Sequence, residues 1–183
     1  APLTPDWAFA QHNEPEIPRG VAHVPVGLAS APSVGLRVAI TGVEAHACAP
    51  EDGLSPAVAM ADLMTALPAL SRGPFPADDF RLVTLTHARL GEPAFGIAPG
   101  RGEVMVTCRT TSDASLTDLV ALVRGRVAMV TDGTGLSVEI TEHDHFLAGM
   151  NHPEAARILP RCCFWVPDRV RRCTTLTTIS TTI

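Results

Sequence analysis

The chain has 183 residues, 46% of them hydrophobic and 18% charged, a composition that suits a folded domain and is too apolar for a disordered one. Its 14 basic side chains, all arginine, stand against 19 acids for a net charge of −5, which argues against a phosphate-tracking nucleic-acid surface. No apolar run reaches the roughly 18 residues of a membrane span, the N-terminus is not a signal peptide, and the five cysteines lack metal or redox spacing. A cytoplasmic protein with reduced thiols is the expectation, binding neither nucleic acid nor membrane.

The first 33 residues are proline-rich. Trp7-Ala8-Phe9-Ala10 reads as a short buried strand ending at Gln11-His12-Asn13. Glu14 to Gly20 must be loop, because two prolines and a glycine forbid either ladder, and Val21 to Val24 reads as another short strand. From Val34 the pattern becomes regular. Leu36, Val38 and Ile40 alternate with Arg37, Ala39 and Thr41 as a half-buried strand stopped by Gly42. Ser55-Pro56 starts a helix with proline at its first position, Met60, Leu63, Met64 and Leu67 share its face, and Pro68 should kink or end it.

Phe80 to Ala88 is a second strand, with Leu82, Thr84 and Thr86 on one side and Val83, Leu85 and His87 on the other. Glu103 to Thr110 is a third, with Val104, Val106 and Cys108 against Met105, Thr107 and Arg109. Ser115 to Asp118 resembles a capping box for a helix carrying Leu116, Leu119, Val120, Val123, Val127 and Val130 at 3.6-residue spacing. Gly133 and Gly135 close it, and Leu136, Val138 and Ile140 begin a fourth strand. The order strand, helix, strand, strand, helix, strand over residues 34–143 predicts an α+β, ferredoxin-like βαββαβ unit: a four-stranded antiparallel sheet with two helices on one face. RNA-recognition modules share this order but need exposed aromatics on the third strand, and Val104 to Arg109 has none.

Seven histidines invite a metal reading. His143 and His145 share a face merely because strands alternate, so they read as solvated strand-end polars. His23 and His87 read as ordinary strand residues and His152 as a helix-start residue. Two others stand out by context. His12 closes an apolar strand, a position from which a side chain can reach a metal or substrate above a sheet. His46 lies among small residues between the first strand and the first helix, which leaves its imidazole open to a ligand.

Trp7-Ala8-Phe9-Ala10-Gln11-His12-Asn13 with Pro15, Ile17, Pro18 and Gly20 resembles a segment of the zinc-dependent aminoacylases and amidohydrolases, among them hippurate hydrolase, indole-acetyl-amino-acid hydrolase and carboxypeptidase G. Thr41-Gly42 through His46-Ala47, Pro50, Gly53 and Ser55-Pro56-Ala57 resembles their lid-domain signature. Phe95 to Pro99 and Cys108-Arg109-Thr110 resemble the next two blocks. The resemblance implies a catalytic domain holding two divalent metal ions, zinc, and a smaller ferredoxin-like lid that makes a homodimer. It implies that His12 ligates one metal, that His46 polarises the scissile carbonyl in the partner's active site, and that Arg109 holds the substrate's carboxylate or acyl end. Gly96 stands where many members carry asparagine.

The expected organisation is a remnant of the metal-binding domain over 1–33, the lid over 34–143, a return segment over 144–159, and an aberrant or disordered tail over 160–183. The tail is expected because cysteine, arginine and then threonine accumulate after Pro160 with Asp168 as its only acid. The expected function is that of a fragment of an amidohydrolase or peptidase acting on N-acyl amino acids or small peptides. The fragment, mostly lid, would be inactive alone and would bind no metal tightly. The alternative is a free-standing ferredoxin-like module that dimerises or binds a small ligand without catalysis.

Overall fold

The computed structural model describes residues 6–10, 12, 15 and 23–163. In chain order the elements are β1 (Gly27–Ser30), β2 (Ser33–Thr41), β3 (Ala45–His46), α1 (Ala57–Ala66), β4 (Arg81–Leu90), β5 (Ile97–Ala98), β6 (Arg101–Thr110), α2 (Asp113–Thr131), β7 (Ser137–Phe146), β8 (Gly149–Asn151) and α3 (Pro153–Cys163). Pro32–Leu147 form one compact unit, and the described residues on either side of it form another.

Within Pro32–Leu147 the sheet order is β4-β6-β2-β7, every neighbour antiparallel. This is the ferredoxin-like arrangement that the alternating patterns predict. Val34, Leu36, Val38 and Ile40 of β2 and Val104, Val106 and Cys108 of β6 turn one face of the two central strands inward. Met60, Leu63 and Leu67 cover that face from α1, and Leu116, Leu119, Val123 and Val127 from α2. Both helices lie on that face because only there does each apolar stripe leave water. The opposite face carries Arg37, Glu103, Thr107, Arg109 and Thr141.

Several local expectations are corrected. The second helix begins at Asp113, and its cap is Ser112, whose Oγ accepts the Ser115 N–H at 3.2 Å. Ser115 therefore sits inside the first turn, one serine later than the cap. Pro56 caps α1 instead of opening its first turn, with Ser55 Oγ accepting the Ala57 N–H at 3.3 Å.

In β4 a bulge between Leu85 and His87 shifts the register, so His87 faces Met105 on the open side, leaving the side of Val83 and Leu85. A second irregularity, with Asp144 at φ 49°, makes Phe146 the partner of Ser33 and His143 the partner of Gly35. Phe146, not His145, thus shares the face of His143, because one inserted residue inverts the alternation beyond it.

In the other unit β1 pairs antiparallel with β8. His152 caps α3, its Nδ1 accepting the Glu154 N–H at 3.2 Å and its ring lying 4.7 Å from that of Trp7. Trp7 to Ala10 form no strand, and Phe9 is exposed; among the described residues no strand pairs with this run. His23 and Val24 also lie outside any strand. Expectations for residues 16–22 and for the tail beyond Cys163 lie outside the described residues.

Candidate functional site

His46 is more firmly placed than a loop residue would be. It belongs to β3, whose Ala45 and His46 pair with Ala98 and Ile97 of β5. The residue after it is tied as well, Ala47 N–H donating to the Gly96 carbonyl at 3.0 Å. Behind it, Val43 and Leu54 exchange both backbone hydrogen bonds, at 2.9 and 2.8 Å, and Gly42 N–H reaches the Gly100 carbonyl at 2.7 Å. Small residues make this folding possible. A Cβ on Gly42 would overlap the Leu54 carbonyl oxygen, and one on Gly100 would lie 2.5 Å from the Glu44 nitrogen. The glycines of the segment are thus positions where backbone meets backbone.

The imidazole itself is exposed, and its Nδ1 accepts the Cys48 N–H at 3.1 Å. A neutral ring whose Nδ1 accepts must carry its proton on Nε2. Outward-facing His46 is therefore a hydrogen-bond donor in its neutral form. Ile97, its cross-strand neighbour, stands on the same face and is half-exposed. The sequence marks Phe95 to Pro99 only as a block, and the pairing of Ile97 with His46 is a tertiary fact.

Arg109 is exposed near the end of β6, between Ser33 of β2 and Leu82 of β4. Among the described residues it makes no ion pair, whereas Arg37 is paired with Glu103 and Arg124 with Glu142, the latter at 2.9 Å. Its guanidinium is available to a carboxylate, for which its fork geometry suits it.

These two residues are not neighbours within one chain. The β2–β6 ladder runs from Ser33 opposite Arg109 to Thr41 opposite Arg101, and the His46 segment departs from the Thr41 end. At about 3.4 Å per residue the ladder is about 27 Å long. His46 and Arg109 lie at its two ends.

His12 belongs to the other unit and is exposed. Among the described residues no three of His, Cys, Asp and Glu converge as metal ligands would. His143 is engaged with Thr141 Oγ1 at 2.8 Å, and His87 Nε2 lies 3.8 Å from Glu103.

Three solved structures place this fold among known proteins. The aminobenzoyl-glutamate utilization protein of Klebsiella pneumoniae superposes with a TM-score of 0.66 at 19% identity, over 86% of this chain and 42% of its own. A hydantoinase/carbamoylase family amidase of Burkholderia ambifaria gives 0.62 at 20% identity, over 83% and 41%. The YXEP protein of Bacillus subtilis, described as a dinuclear metal binding peptidase of the M20 family, gives 0.57 at 19% identity, over 81% and 38%. This chain spans less than half of each. No curated protein matches it in sequence. Residues 29–132, more than half of the chain, match the peptidase dimerisation domain of the M20 family, and the chain belongs to that family.

Proposed function

We propose that this chain is the lid and dimerisation part of a metal-dependent amidohydrolase or peptidase cleaving the amide bond of N-acyl amino acids or small peptides. In this reading His46 and Arg109 act on one substrate from two copies of the chain. The separation of the two residues carries the proposal. A small substrate cannot span a ladder of about 27 Å, so a carbonyl at His46 and a carboxylate at Arg109 of the same copy belong to different molecules. A two-fold partner reverses the strand direction and brings opposite ends together.

The edges of the sheet support one such pairing. β7 is bulged at Asp144, and its exposed Glu139 puts a charge on that edge, both features that disfavour pairing with another strand. β4 presents Thr86, Ala88 and Leu90, all exposed. Its first residues are already covered, since Arg72 exchanges both backbone hydrogen bonds with Arg81 and Ser71 Oγ accepts the Val83 N–H at 3.0 Å. What remains open is the Leu90 half. Two copies paired antiparallel there set the Leu82 row of one, beside its Arg109, level with the chain beyond Leu90 of the other, where Ile97 holds His46.

His46 then donates Nε2–H to the carbonyl oxygen, where negative charge develops as the amide is attacked, and Arg109 fixes the acid end. His12 is read as one ligand of a two-metal centre, with zinc the expected ion. The donors among the described residues do not fit such a centre.

The test is a complementation in an enzyme that carries this lid together with a complete metal centre. Subunits bearing His46→Ala are mixed with subunits inactivated at the metal centre. Heterodimers are expected to regain part of the activity. Demonstrated heterodimers with none would remove the trans role of His46.

A further inference from the structure

A cavity of about 460 Å³ opens on the helix-free face of the sheet, between β2, β6 and the chain around Gly91 and Pro99. Its ionisable lining is Arg37, Arg89, Arg101, Glu44, Glu92 and Glu103. Four of these neutralise one another, Arg37 with Glu103 and Arg89 with Glu92. The bond to Arg89 holds the Glu92 carboxyl below its usual range. Arg101 and Glu44 are left over. Among the described residues neither makes a side-chain hydrogen bond or an ion pair, with each other or with a third group.

Yet their backbones adjoin. Gly100, immediately before Arg101, is buried against Glu44, and a Cβ on it would stand 2.5 Å from the Glu44 nitrogen and 2.9 Å from its Cγ. One free cation and one free anion thus rise from touching backbone into one cavity without meeting. A purely anionic ligand would face Glu44 unpaired, and a purely cationic one would face Arg101. A ligand with both charges and no net charge satisfies the two. Ala39, Ile97 and Pro99 add apolar wall beside them.

We infer that this cavity binds a free α-amino acid of apolar side chain. Its carboxylate meets Arg101, its ammonium meets Glu44, and its side chain lies toward Ile97 and Pro99. The inference gives Arg101 and Glu44 no part in hydrolysis, and its test reads binding, so it stands or falls independently of the role of His46 and Arg109.

The 183-residue chain is titrated with L-leucine, N-acetyl-L-leucine and L-leucinamide while backbone amide resonances are followed by NMR. Leucine is expected to shift the Glu44, Ile97 and Arg101 resonances saturably. The analogues lacking the ammonium or the carboxylate should bind roughly tenfold or more weakly, the worth of a charge-assisted hydrogen bond. Arg101→Gln and Glu44→Gln should weaken leucine to the same degree with unchanged circular dichroism, as both side chains are exposed. No saturable leucine binding, or N-acetyl-leucine binding as well as leucine, overturns the proposal. The analogue series on the unaltered chain decides even if a variant fails to fold.

Discussion

Ala47 donates its backbone N–H to the carbonyl oxygen of Gly96 at 3.0 Å, so the residue after His46 is fastened to the chain ahead of β5. With the β3–β5 pairing on its other side, the imidazole is exposed but its backbone is not free to swing. A donor held in place before its acceptor arrives loses little on binding, which is the condition under which one hydrogen bond matters to a reaction.

Exposure and rigidity together make His46 separable from folding. Removing the ring opens no core cavity, so His46→Ala should change stability by no more than about 0.5 kcal/mol. In an enzyme with a complete metal centre it should lower turnover by about 10²–10³, as the loss of one oxyanion donor does. Arg109→Ala should mainly raise KM for carboxylate-bearing substrates. Thermal melts and steady-state kinetics on the same preparations check both statements, and full activity in His46→Ala would remove this histidine from the mechanism.

The proposed dimer predicts a self-opposed charge. Ala88 is exposed in the uncovered half of β4, close to where a two-fold axis would pass. Ala88→Lys places like charges against each other across the seam, a device by which natural edges resist pairing. Sedimentation equilibrium should show the unaltered chain self-associating and Ala88→Lys shifted toward monomer with the same circular dichroism spectrum. An equally strong dimer in the variant would move the interface to another edge.

Two glycines of the same neighbourhood should behave oppositely. A Cβ on Gly96 meets nothing within 4 Å, whereas on Gly100 it meets the Glu44 nitrogen at 2.5 Å and the Val43 carbonyl carbon at 2.7 Å. Gly96→Asn should leave the urea midpoint nearly unchanged. Gly100→Ala should cost about 1–3 kcal/mol, the range for forcing extra atoms into packed structure. Equal midpoints would mean that the backbone around Glu44 yields.

Cys108 gives stability a pH dependence with a definite sign. Burial on the core face of β6 pushes its thiol up from 9.0 to about 11. The folded chain holds this proton where the unfolded chain releases it, so the unfolded state gains as pH rises. The contribution is whole below about 9 and is lost as pH climbs through about 11. Urea midpoints should fall across that window, and Cys108→Ala, though less stable at neutral pH, should fall less steeply. Below the window Cys48, which is exposed, should react with thiol reagents while Cys108 does so only on unfolding.

The sheet and its two helices were legible in the sequence because the side a residue faces is set by local period. Leu36, Val38 and Ile40 alternate, Leu116, Leu119, Val123 and Val127 recur every three or four residues, and each pattern could be buried in only one way. The departures all involve partners distant in the chain. The bulges that turn His87 to the open face and separate His145 from His143 exist only in the registers of β4 with β6 and of β2 with β7. The Ser112 cap was displaced by one serine, because Ser115 and Asp118 offered the same local signal. His46 and Arg109 stood out as residues, but the ladder that holds them at opposite ends and the β5 strand that fastens His46 are tertiary facts. So is the cavity that gathers Arg101 and Glu44. Periodicity specifies which face a side chain takes, whereas which faces and ends come together depends on pairings that only the folded chain makes.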